Sequence, residues 1–277
     1  MDHAPLLATK LMAPTRRPDA VVRPHLLDRL HAGLRAGRRL SLVSAPPGFG
    51  KTTVVADWLA ATDRRRAWLA LDEGDNDAWT FVRYLAAALD QSAANQNVAL
   101  RTQAGGAPAE GIPAAQASPE RAATGGSPAT QAPAGDGLVA LINGLAAANE
   151  PWLLVLDDYQ AIRSFAVHDL VTALLAHGPP GLHIAIATRE DPPLPLARLR
   201  ARDELTEIRQ ADLRFAPGEA TAFFRDTMGL GLAPAASAAL AERTEGWITG
   251  LQLAGLALRR PDGSGNDPRA VDAFVGA

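Results

Sequence analysis

The sequence predicts an α/β fold, in which helices cover both faces of a five-stranded, mostly parallel sheet and a partial all-helical subdomain follows. Three observations lead to this prediction. Short apolar runs of strand length alternate with segments of helical periodicity. The runs are apolar throughout, which is typical of parallel strands that are buried on both faces. Polar residues follow the runs directly, at the edge where parallel sheets bind their ligands.

The elements follow one another in a simple order. Leucines recur at helical spacing from Leu26 to Leu34, which predicts a first helix. The apolar run Leu40–Ser44 ends at a loop rich in proline and glycine, so we predict a buried strand there. A second helix is predicted over Thr52–Ala61. The other strands are predicted at Ala67–Leu71, Trp152–Leu156, His183–Ala187 and, from the weakest pattern, Leu205–Ile208.

The loop after the first strand has the composition of a phosphate-binding loop (P-loop). Its sequence over residues 45–53, Ala-Pro-Pro-Gly-Phe-Gly-Lys-Thr-Thr, places backbone N–H groups and a helix N-terminus around anionic oxygens. Gly48 and Gly50 let the backbone approach the phosphates closely. Ala45 stands where such loops usually have their first glycine. We expect ATP or ADP to contact Pro47, Gly48, Phe49, Gly50, Lys51, Thr52 and Thr53.

Five polar side chains are candidates for chemistry at this loop. Lys51 is predicted to reach the β- and γ-phosphates as a catalytic residue, and the Thr52 hydroxyl to ligate Mg²⁺. Further along, an apolar strand ends in two aspartates, which is the Walker B pattern. Asp157 is predicted to hold the Mg²⁺, and Asp158 to orient or deprotonate the attacking water. Arg189 follows the next strand and is predicted to contact the γ-phosphate during catalysis.

An acidic cluster follows the second predicted strand, with the sequence Asp-Glu-Gly-Asp-Asn-Asp at residues 72–77. Its spacing does not match a calcium-binding loop, which needs aspartates at alternate positions and a distant glutamate. Two interpretations stay open. The cluster either supports the Mg²⁺ shell from the nucleotide side of the sheet or forms a solvated acidic turn.

Two changes in composition define the predicted domains. Residues 92–136 contain only Val98, Leu100 and Ile112 as large apolar residues. Such a segment cannot bury enough surface to offset its ordering entropy, so we expect a loosely ordered, low-complexity insertion there. From Pro217 onward, helical patterns linked by glycine predominate. We therefore predict a P-loop nucleotide-binding domain over 1–215, which includes the insertion, and a partial helical subdomain over 216–277.

The overall composition limits the classes of protein to which the chain can belong. The formal net charge of −3 argues against extended nucleic-acid binding, and the absence of cysteine excludes disulfides and thiolate metal sites. No run reaches the ~18 uninterrupted apolar residues that a membrane helix needs. The N-terminus also lacks the pattern of a signal peptide. We expect a cytoplasmic protein without a membrane partner.

Several segments resemble, in the same order and at similar spacing, the N-terminal ATPase domain of the MalT-like, large ATP-binding LuxR-type transcriptional activators. These activators are STAND-class P-loop NTPases. The similar segments are Thr9–Pro14, Val21–Leu27, Ser44–Thr53, Trp68–Asn76, Val155–Tyr159, Thr188-Arg189 and Glu245–Trp247. The resemblance covers nearly the whole chain except residues 92–136, where the family has ordinary helical sequence.

The resemblance implies a nucleotide switch. In this family, ATP binding and hydrolysis switch a multidomain protein between an inactive monomer and an oligomer that activates transcription. A sensor domain of helical repeats and a C-terminal helix-turn-helix lie further along such chains. Self-association is therefore expected in the ATP-bound state of a full regulator, and DNA binding only through a domain outside these residues. The resemblance also places Val22 and Arg23 near the adenine, and makes the helices from Pro217 onward the start of an arm that closes over the nucleotide.

Three functions stay open at this point. The first is a slow regulatory ATPase within a transcriptional activator. The second is a P-loop kinase that passes phosphate to a small acceptor, for which the arginine clusters at 64–66 and 198–202 are candidate lid residues. The third is an interaction module that binds ATP without hydrolysing it, although two adjacent aspartates at 157–158 argue against this third function.

Overall fold

The structure is a computed structural model that describes residues 6–16, 19–103 and 134–259. Its strands are β1 (Leu40–Ser44), β2 (Arg65–Ala70), β3 (Trp152–Asp157), β4 (Leu182–Thr188) and β5 (Leu205–Arg209). They form one sheet in the order β2-β3-β4-β1-β5, and every pairing is parallel. The α/β prediction is therefore confirmed, and each predicted strand lies close to its predicted position.

Helices connect the strands and extend beyond the sheet. They are α1 (Pro24–Arg35), α2 (Lys51–Ala61), α3 (Ala78–Gln103), α4 (Ala134–Ala148), α5 (Phe165–His177), α6 (Leu196–Ala201), α7 (Gln210–Leu213), α8 (Pro217–Ala222), α9 (Pro234–Arg243) and α10 (Ile248–Leu258). A π-helical turn, Phe223–Thr227, continues α8. In the ranges that the structure describes, no helix is both long and apolar enough to cross a membrane.

The sheet is buried on both of its faces. On one face, Leu42 and Leu154 pack in a core with residues of α3, α4 and α5. On the other, Val43 and Val155 pack with residues of α1 and α2. Because successive side chains of a strand point to opposite faces, a sheet covered on both sides needs strands that are apolar throughout. This requirement explains the continuous apolar runs in the sequence.

The helix α3 extends into the predicted low-complexity insertion. It continues as far as Gln103, and α4 begins at Ala134, so residues 92–103 and 134–136 are helical and not loosely ordered. Alanine, leucine and glutamine have high helix propensity, which favours a helix in this stretch. Residues 104–133 of the predicted insertion lie outside the described residues.

Helices α8, α9 and α10 form an apolar core of their own, separate from both faces of the sheet. Phe224, Leu240, Leu251 and Leu258 are fully buried in it. A separate apolar core of this kind can stabilise the packing of a helical subdomain. The proposed division into domains 1–215 and 216–277 stays a prediction, and residues 260–277 lie outside the described part of the chain.

The acidic cluster after β2 forms a junction with the N-terminal segment. The ammonium of Lys10 lies 2.5 Å from a carboxylate oxygen of Asp75 and 3.1 Å from one of Asp72. Asp75 is fully buried and Lys10 nearly so. Lys10 also lies 4.3 Å from the ring centroid of Tyr84. Neither open interpretation describes Asp75, because its carboxylate is buried and paired with Lys10 and is not available to solvent or to a Mg²⁺ shell.

Asn76 ties the same junction to the segment after β3. Its side-chain amide donates to the carbonyl of Ala161 over 2.9 Å. Its oxygen accepts hydrogen bonds from the N–H groups of Arg163 and Ser164. The acidic cluster is therefore a structural connection between the N-terminal segment, the loop after β2 and the loop after β3.

We predict that Lys10→Met lowers the free energy of unfolding by about 3 kcal/mol, because it leaves the buried Asp75 carboxylate without its counter-charge. Urea unfolding followed by circular dichroism measures the change. The double variant Lys10→Met/Asp75→Leu should recover most of the loss, since it removes both charges.

The matched control for this prediction is Arg225→Met, which breaks the exposed ion pair between Arg225 and Asp226. Exposed pairs contribute little to stability, so its unfolding curve should stay close to that of the wild type. If Lys10→Met changes the free energy of unfolding as little as Arg225→Met does, the buried pair of Lys10 and Asp75 does not stabilise the junction.

Candidate nucleotide-binding site

Three strand ends bring the predicted site residues to one edge of the sheet. The phosphate loop leaves β1, Asp157 ends β3, and Arg189 follows β4. Strand β4 lies between β3 and β1, and Ser44 is in register with Thr188. Because these strands are parallel, their carboxyl ends meet at the same edge. The fold therefore places the loop, the aspartate and the arginine beside one another.

The phosphate loop has a conformation that favours glycine at two positions. Gly48 and Gly50 have φ angles of 76° and 79°, in the left-handed region. The Lys51 ammonium donates to the carbonyl of Pro46 over 3.1 Å, which curls the side chain back along the loop. At the start of α2, the N–H of Val54 donates to the carbonyl of Gly50. The N–H groups before Val54 therefore lie at the helix N-terminus, where an anion is favoured.

Thr52 and Asp157 meet in front of this loop. The Thr52 hydroxyl lies 3.1 Å and 3.0 Å from the two carboxylate oxygens of Asp157. Asp157 is only 5% exposed. Burial and, second, the charge of Asp158 raise the pKa of Asp157 to about 6, although the bond from Thr52 opposes the shift. The hydrogen bond from Thr52 therefore does not fully offset the effects of burial and of the Asp158 charge on this carboxylate. A nearby cation would stabilise its charged form.

Lys51 is likewise buried, with 9% of its surface exposed. Burial and, second, the positive charge of Arg189 hold the pKa of Lys51 below its ordinary value, whereas Asp158 and Asp157 raise it. These four charged side chains therefore lie within electrostatic reach of one another. A polyanion between Lys51 and Arg189 would relieve the repulsion between the two cations.

The residues present fit a Mg²⁺ ion that a phosphate group shares. A hydroxyl and a carboxylate, the Thr52 and Asp157 pair, are hard oxygen ligands of the kind that Mg²⁺ takes. Among the described residues, no group of three or more His, Cys, Asp or Glu side chains could hold a metal ion by itself. The protein would therefore supply part of the shell, and phosphate oxygens and water the rest.

Asp158 and Arg189 lie exposed at the mouth of the site. Asp158 has a φ of 54°, and its carboxylate accepts a 2.8 Å hydrogen bond from the side-chain amide of Gln160. Aspartate is one of the few residues that tolerate the left-handed conformation. Arg189 forms no hydrogen bond or ion pair with another residue of the described ranges. Both side chains can thus turn toward a ligand in front of the loop.

A cavity of about 430 Å³ continues from the phosphate loop toward the helical subdomain. Of the predicted nucleotide-binding residues, Arg23, Gly48, Phe49, Gly50, Thr52 and Thr53 line it. Apolar side chains of Val21, Leu27, Phe215 and Phe223 contribute to its lining, together with the charged side chains of Arg16 and Asp57. A cavity that combines the backbone of the phosphate loop with apolar side chains has the chemistry of a site for a phosphorylated nucleoside.

The structure places the other predicted binding residues outside the cavity lining. Pro47 is exposed, and Lys51 is buried beneath the loop. Val22 is 48% exposed, and its neighbour Val21 lines the cavity instead. The sequence contains two adjacent valines here, and no periodicity shows which of them faces the cavity. The expected proximity of Val22 to an adenine stays a prediction.

Arg23 lines the cavity, but its guanidinium is occupied. It donates to the carbonyls of Leu213 and Arg214 over 2.9 Å and 2.8 Å. It also pairs with the Glu219 carboxylate at 2.9 Å and lies over the ring of Phe215. Arg23 therefore joins the start of α1 to the segment that leads into α8. Its charged group is held in these contacts and does not point freely at a ligand.

The first turn of α10 contacts the phosphate loop, which the sequence analysis did not predict. The indole N–H of Trp247 donates to the carbonyl of Pro47 over 3.1 Å. The hydroxyl of Thr249 donates to the carbonyl of Gly48 over 3.1 Å, and its backbone N–H lies 3.3 Å from the same oxygen. The Glu-Gly-Trp segment of the family resemblance marked this region, but no local pattern indicates a partner so far away in sequence.

Comparison with known proteins agrees with the geometry. The profile of the AAA ATPase domain family matches residues 21–187. The HTH-type transcriptional regulator MalT of Yersinia pestis is 34% identical over 263 residues, which is 94% of this chain and 26% of the regulator. The MalT of Yersinia enterocolitica is 35% identical over 260 residues, again 94% and 26% of the two chains. The chain thus spans about a quarter of the length of these relatives.

A solved structure with a similar fold is the ORC2 protein of Aeropyrum pernix in its ADP form. It has a TM-score of 0.50 and 14% identity, and the match covers 95% of this chain and 69% of that one. At this identity the likeness concerns the fold alone. The family resemblance seen in the sequence is confirmed, and the chain belongs to the AAA ATPase domain family, in the form that MalT-like transcriptional regulators carry.

Proposed function

We propose that this chain is the ATP-binding switch domain of a LuxR-type transcriptional regulator, in which ATP binding and slow hydrolysis control self-association and transcription activation. The contact between the Thr52 hydroxyl and the buried Asp157 carboxylate, 3.0 Å in front of the phosphate loop, carries the proposal. This pair is the arrangement that P-loop NTPases use beside a bound triphosphate. The similarity to MalT regulators supports the regulatory part.

Binding of the triphosphate rests on the loop and on Lys51. The N–H groups at the start of α2 offer hydrogen bonds to phosphate oxygens, and the helix N-terminus adds a partial positive charge. Lys51 already lies along the loop through its bond to Pro46. Because burial disfavours the charge of this ammonium, an anionic partner gains more from it than it would at the surface. The apolar side chains that line the cavity would then contact the base.

Hydrolysis rests on Asp158 and Arg189. Asp158 is exposed beside the metal-binding pair and is positioned to orient or deprotonate a water molecule. Arg189 has its guanidinium free among the described residues and is placed to contact the γ-phosphate. Mg²⁺ bound at Thr52 and Asp157 would neutralise the charge that develops on the phosphates. Slow turnover is sufficient, since hydrolysis in a switch resets a conformation.

Arginines from both candidate lid clusters of the kinase alternative are engaged with other residues of the protein. Arg64 donates to the carbonyl of Gly181, and Arg65 forms an ion pair with Glu150. Gly181 directly precedes β4, so these arginines lie at the amino end of the sheet, away from the phosphate loop. Arg200, from the other cluster, is paired with Glu207. The arrangement therefore favours the switch over transfer to a small acceptor.

The proposals on self-association, DNA binding and cellular location rest on the similarity to the longer MalT regulators. We propose that self-association follows ATP binding in the complete regulator, that DNA is contacted by a separate C-terminal domain, and that the protein works in the cytoplasm. A regulator of this kind needs a nucleotide-dependent change within the ATPase domain that the other domains can detect.

Lys51→Ala is predicted to weaken ATP binding by roughly 10- to 100-fold, because it removes one charge-assisted bond to the phosphates. Isothermal titration calorimetry with ATP and ADP measures the affinity. Arg198→Ala is the matched control, since it removes one exposed positive charge outside the site. If both variants lose the same ATP affinity, the effect of Lys51→Ala comes from net charge and not from a specific contact with the phosphates.

Asp158→Asn is predicted to lower the rate of phosphate release by about 100-fold or more while ATP affinity stays within about twofold. Asparagine tolerates the left-handed backbone at this position, so the fold should be retained. A phosphate-release assay provides the measurement, with Glu190→Gln as the control for loss of one exposed acid nearby. Unchanged turnover in Asp158→Asn would remove Asp158 from the mechanism, and absence of turnover in the wild type would favour the non-hydrolysing module.

The Mg²⁺ dependence of ATP binding is predicted to weaken as the pH falls through about 6. The pKa of Asp157 is raised to about 6, and only its carboxylate form, which predominates above that pH, attracts the cation. Calorimetric titrations with and without Mg²⁺, between about pH 8 and about pH 5, provide the test. Asp157→Asn is the control, because it lacks the titrating carboxylate. Any pH dependence of ATP affinity that remains in this variant comes from the nucleotide and Mg²⁺ alone. The prediction is wrong if wild type and variant change in parallel.

A further inference from the structure

The proposed mechanism uses the N–H groups of the phosphate loop but does not explain what fixes their direction. A peptide unit is planar, and in the trans form its C=O and N–H point in opposite directions. No cis peptide bond occurs in the described residues. A bond that fixes the carbonyl of Pro47 therefore also fixes the direction of the Gly48 N–H. A bond to the carbonyl of Gly48 fixes the N–H of Phe49 in the same way.

The first turn of α10 makes these two bonds. Trp247 holds the Pro47 carbonyl and Thr249 holds that of Gly48, each over 3.1 Å. The fit is close, because a Cβ atom on Gly48 would lie 2.3 Å from the Thr249 hydroxyl and 2.8 Å from the Trp247 indole nitrogen. A glycine is required at this position for the contact with α10 as well as for the left-handed φ.

The position of Trp247 is itself fixed from the other side. Gly246 has a φ of 68°, and a Cβ there would lie 2.7 Å from the backbone of Phe215. The N–H of Phe215 donates to the carbonyl of Gly246 over 2.9 Å. The turn before α10 is thus anchored on the segment that leads into the helical subdomain. This contact places the indole N–H of Trp247 and the hydroxyl of Thr249 against the phosphate loop.

We propose that Trp247 and Thr249 are positioning residues that orient the phosphate-binding N–H groups of Gly48 and Phe49. The inference rests on the proposed function, in which this loop binds a triphosphate. The affinity of the loop for phosphate then depends on whether the helical subdomain is docked. By linkage, a bound triphosphate stabilises the docked subdomain to the same extent. The contact is a route by which the nucleotide controls the helices that follow the sheet.

The experiment compares Thr249→Val and Trp247→Phe with the wild-type chain. Valine keeps the shape of threonine without the hydroxyl donor, and phenylalanine keeps an aromatic ring without the indole N–H. Each variant is expected to weaken ATP binding by about three- to tenfold, which corresponds to one neutral hydrogen bond. Thr249→Ser restores the donor and should bind ATP within about twofold of the wild type.

Two controls separate positioning from a general disturbance of the subdomain. Thr221→Val removes a hydroxyl from α8 that donates to the carbonyl of Pro217 over 3.0 Å, away from the loop, and should leave ATP affinity unchanged. Tripolyphosphate, titrated as a competitor of a fluorescent ATP analogue, reports the loop alone because it has no base. In Thr249→Val, its affinity should fall by the same factor as that of ATP.

The outcomes distinguish this inference from the proposed function. If the wild type does not bind ATP, the proposed function itself is wrong. If the wild type binds ATP and Thr249→Val binds it equally well, only the positioning role is wrong. The role is also wrong if ATP affinity falls but tripolyphosphate affinity does not, since the loss would then concern the base or the ribose and not the phosphate-binding loop.

Discussion

The direction of the backbone N–H groups in the phosphate loop is the constraint on which the rest of this structure depends. Gly48 and Gly50 provide left-handed backbone that residues with a Cβ rarely adopt. Three separate elements then hold the loop: strand β1 before it, helix α2 after it, and the first turn of α10 against its carbonyls. A preorganised loop loses little entropy when it binds an anion, which is why such rigidity favours affinity.

Lys51 and Asp157 are the two buried charged groups at the loop, and their surroundings disfavour both charges. Burial raises the pKa of Asp157 and lowers that of Lys51, so the fold disfavours both charged forms. In the proposed function, Mg²⁺ would supply a positive partner for Asp157, and the triphosphate a negative partner for Lys51. The energetic cost of burying these two charges would then be offset in the liganded protein.

Most of the fold and the phosphate loop could be predicted from the sequence, because both depend on local patterns. The five strands are continuous apolar runs, and the loop is a contiguous motif. The contacts that involve distant residues could not be predicted in this way. Lys10 pairs with the buried Asp75, Arg23 binds the carbonyls of 212–214, and Thr249 reaches Gly48, although no periodicity or spacing relates these positions. The helical continuation of α3 to Gln103 differs from the prediction, because low apolar content predicts weak order whereas the helix propensity of alanine favours a helix.

The most direct test of the central claim is the chemical shift of the loop amides in an isotope-labelled sample, measured by NMR as ATP is added. The account predicts large shifts at the N–H groups from Gly48 to Thr53, with smaller ones at the apolar residues that line the cavity. The N–H groups of the acidic junction around Asp75 should stay unchanged, since that carboxylate is paired with Lys10. Saturable shifts elsewhere in the domain, with none at the loop, would contradict the account.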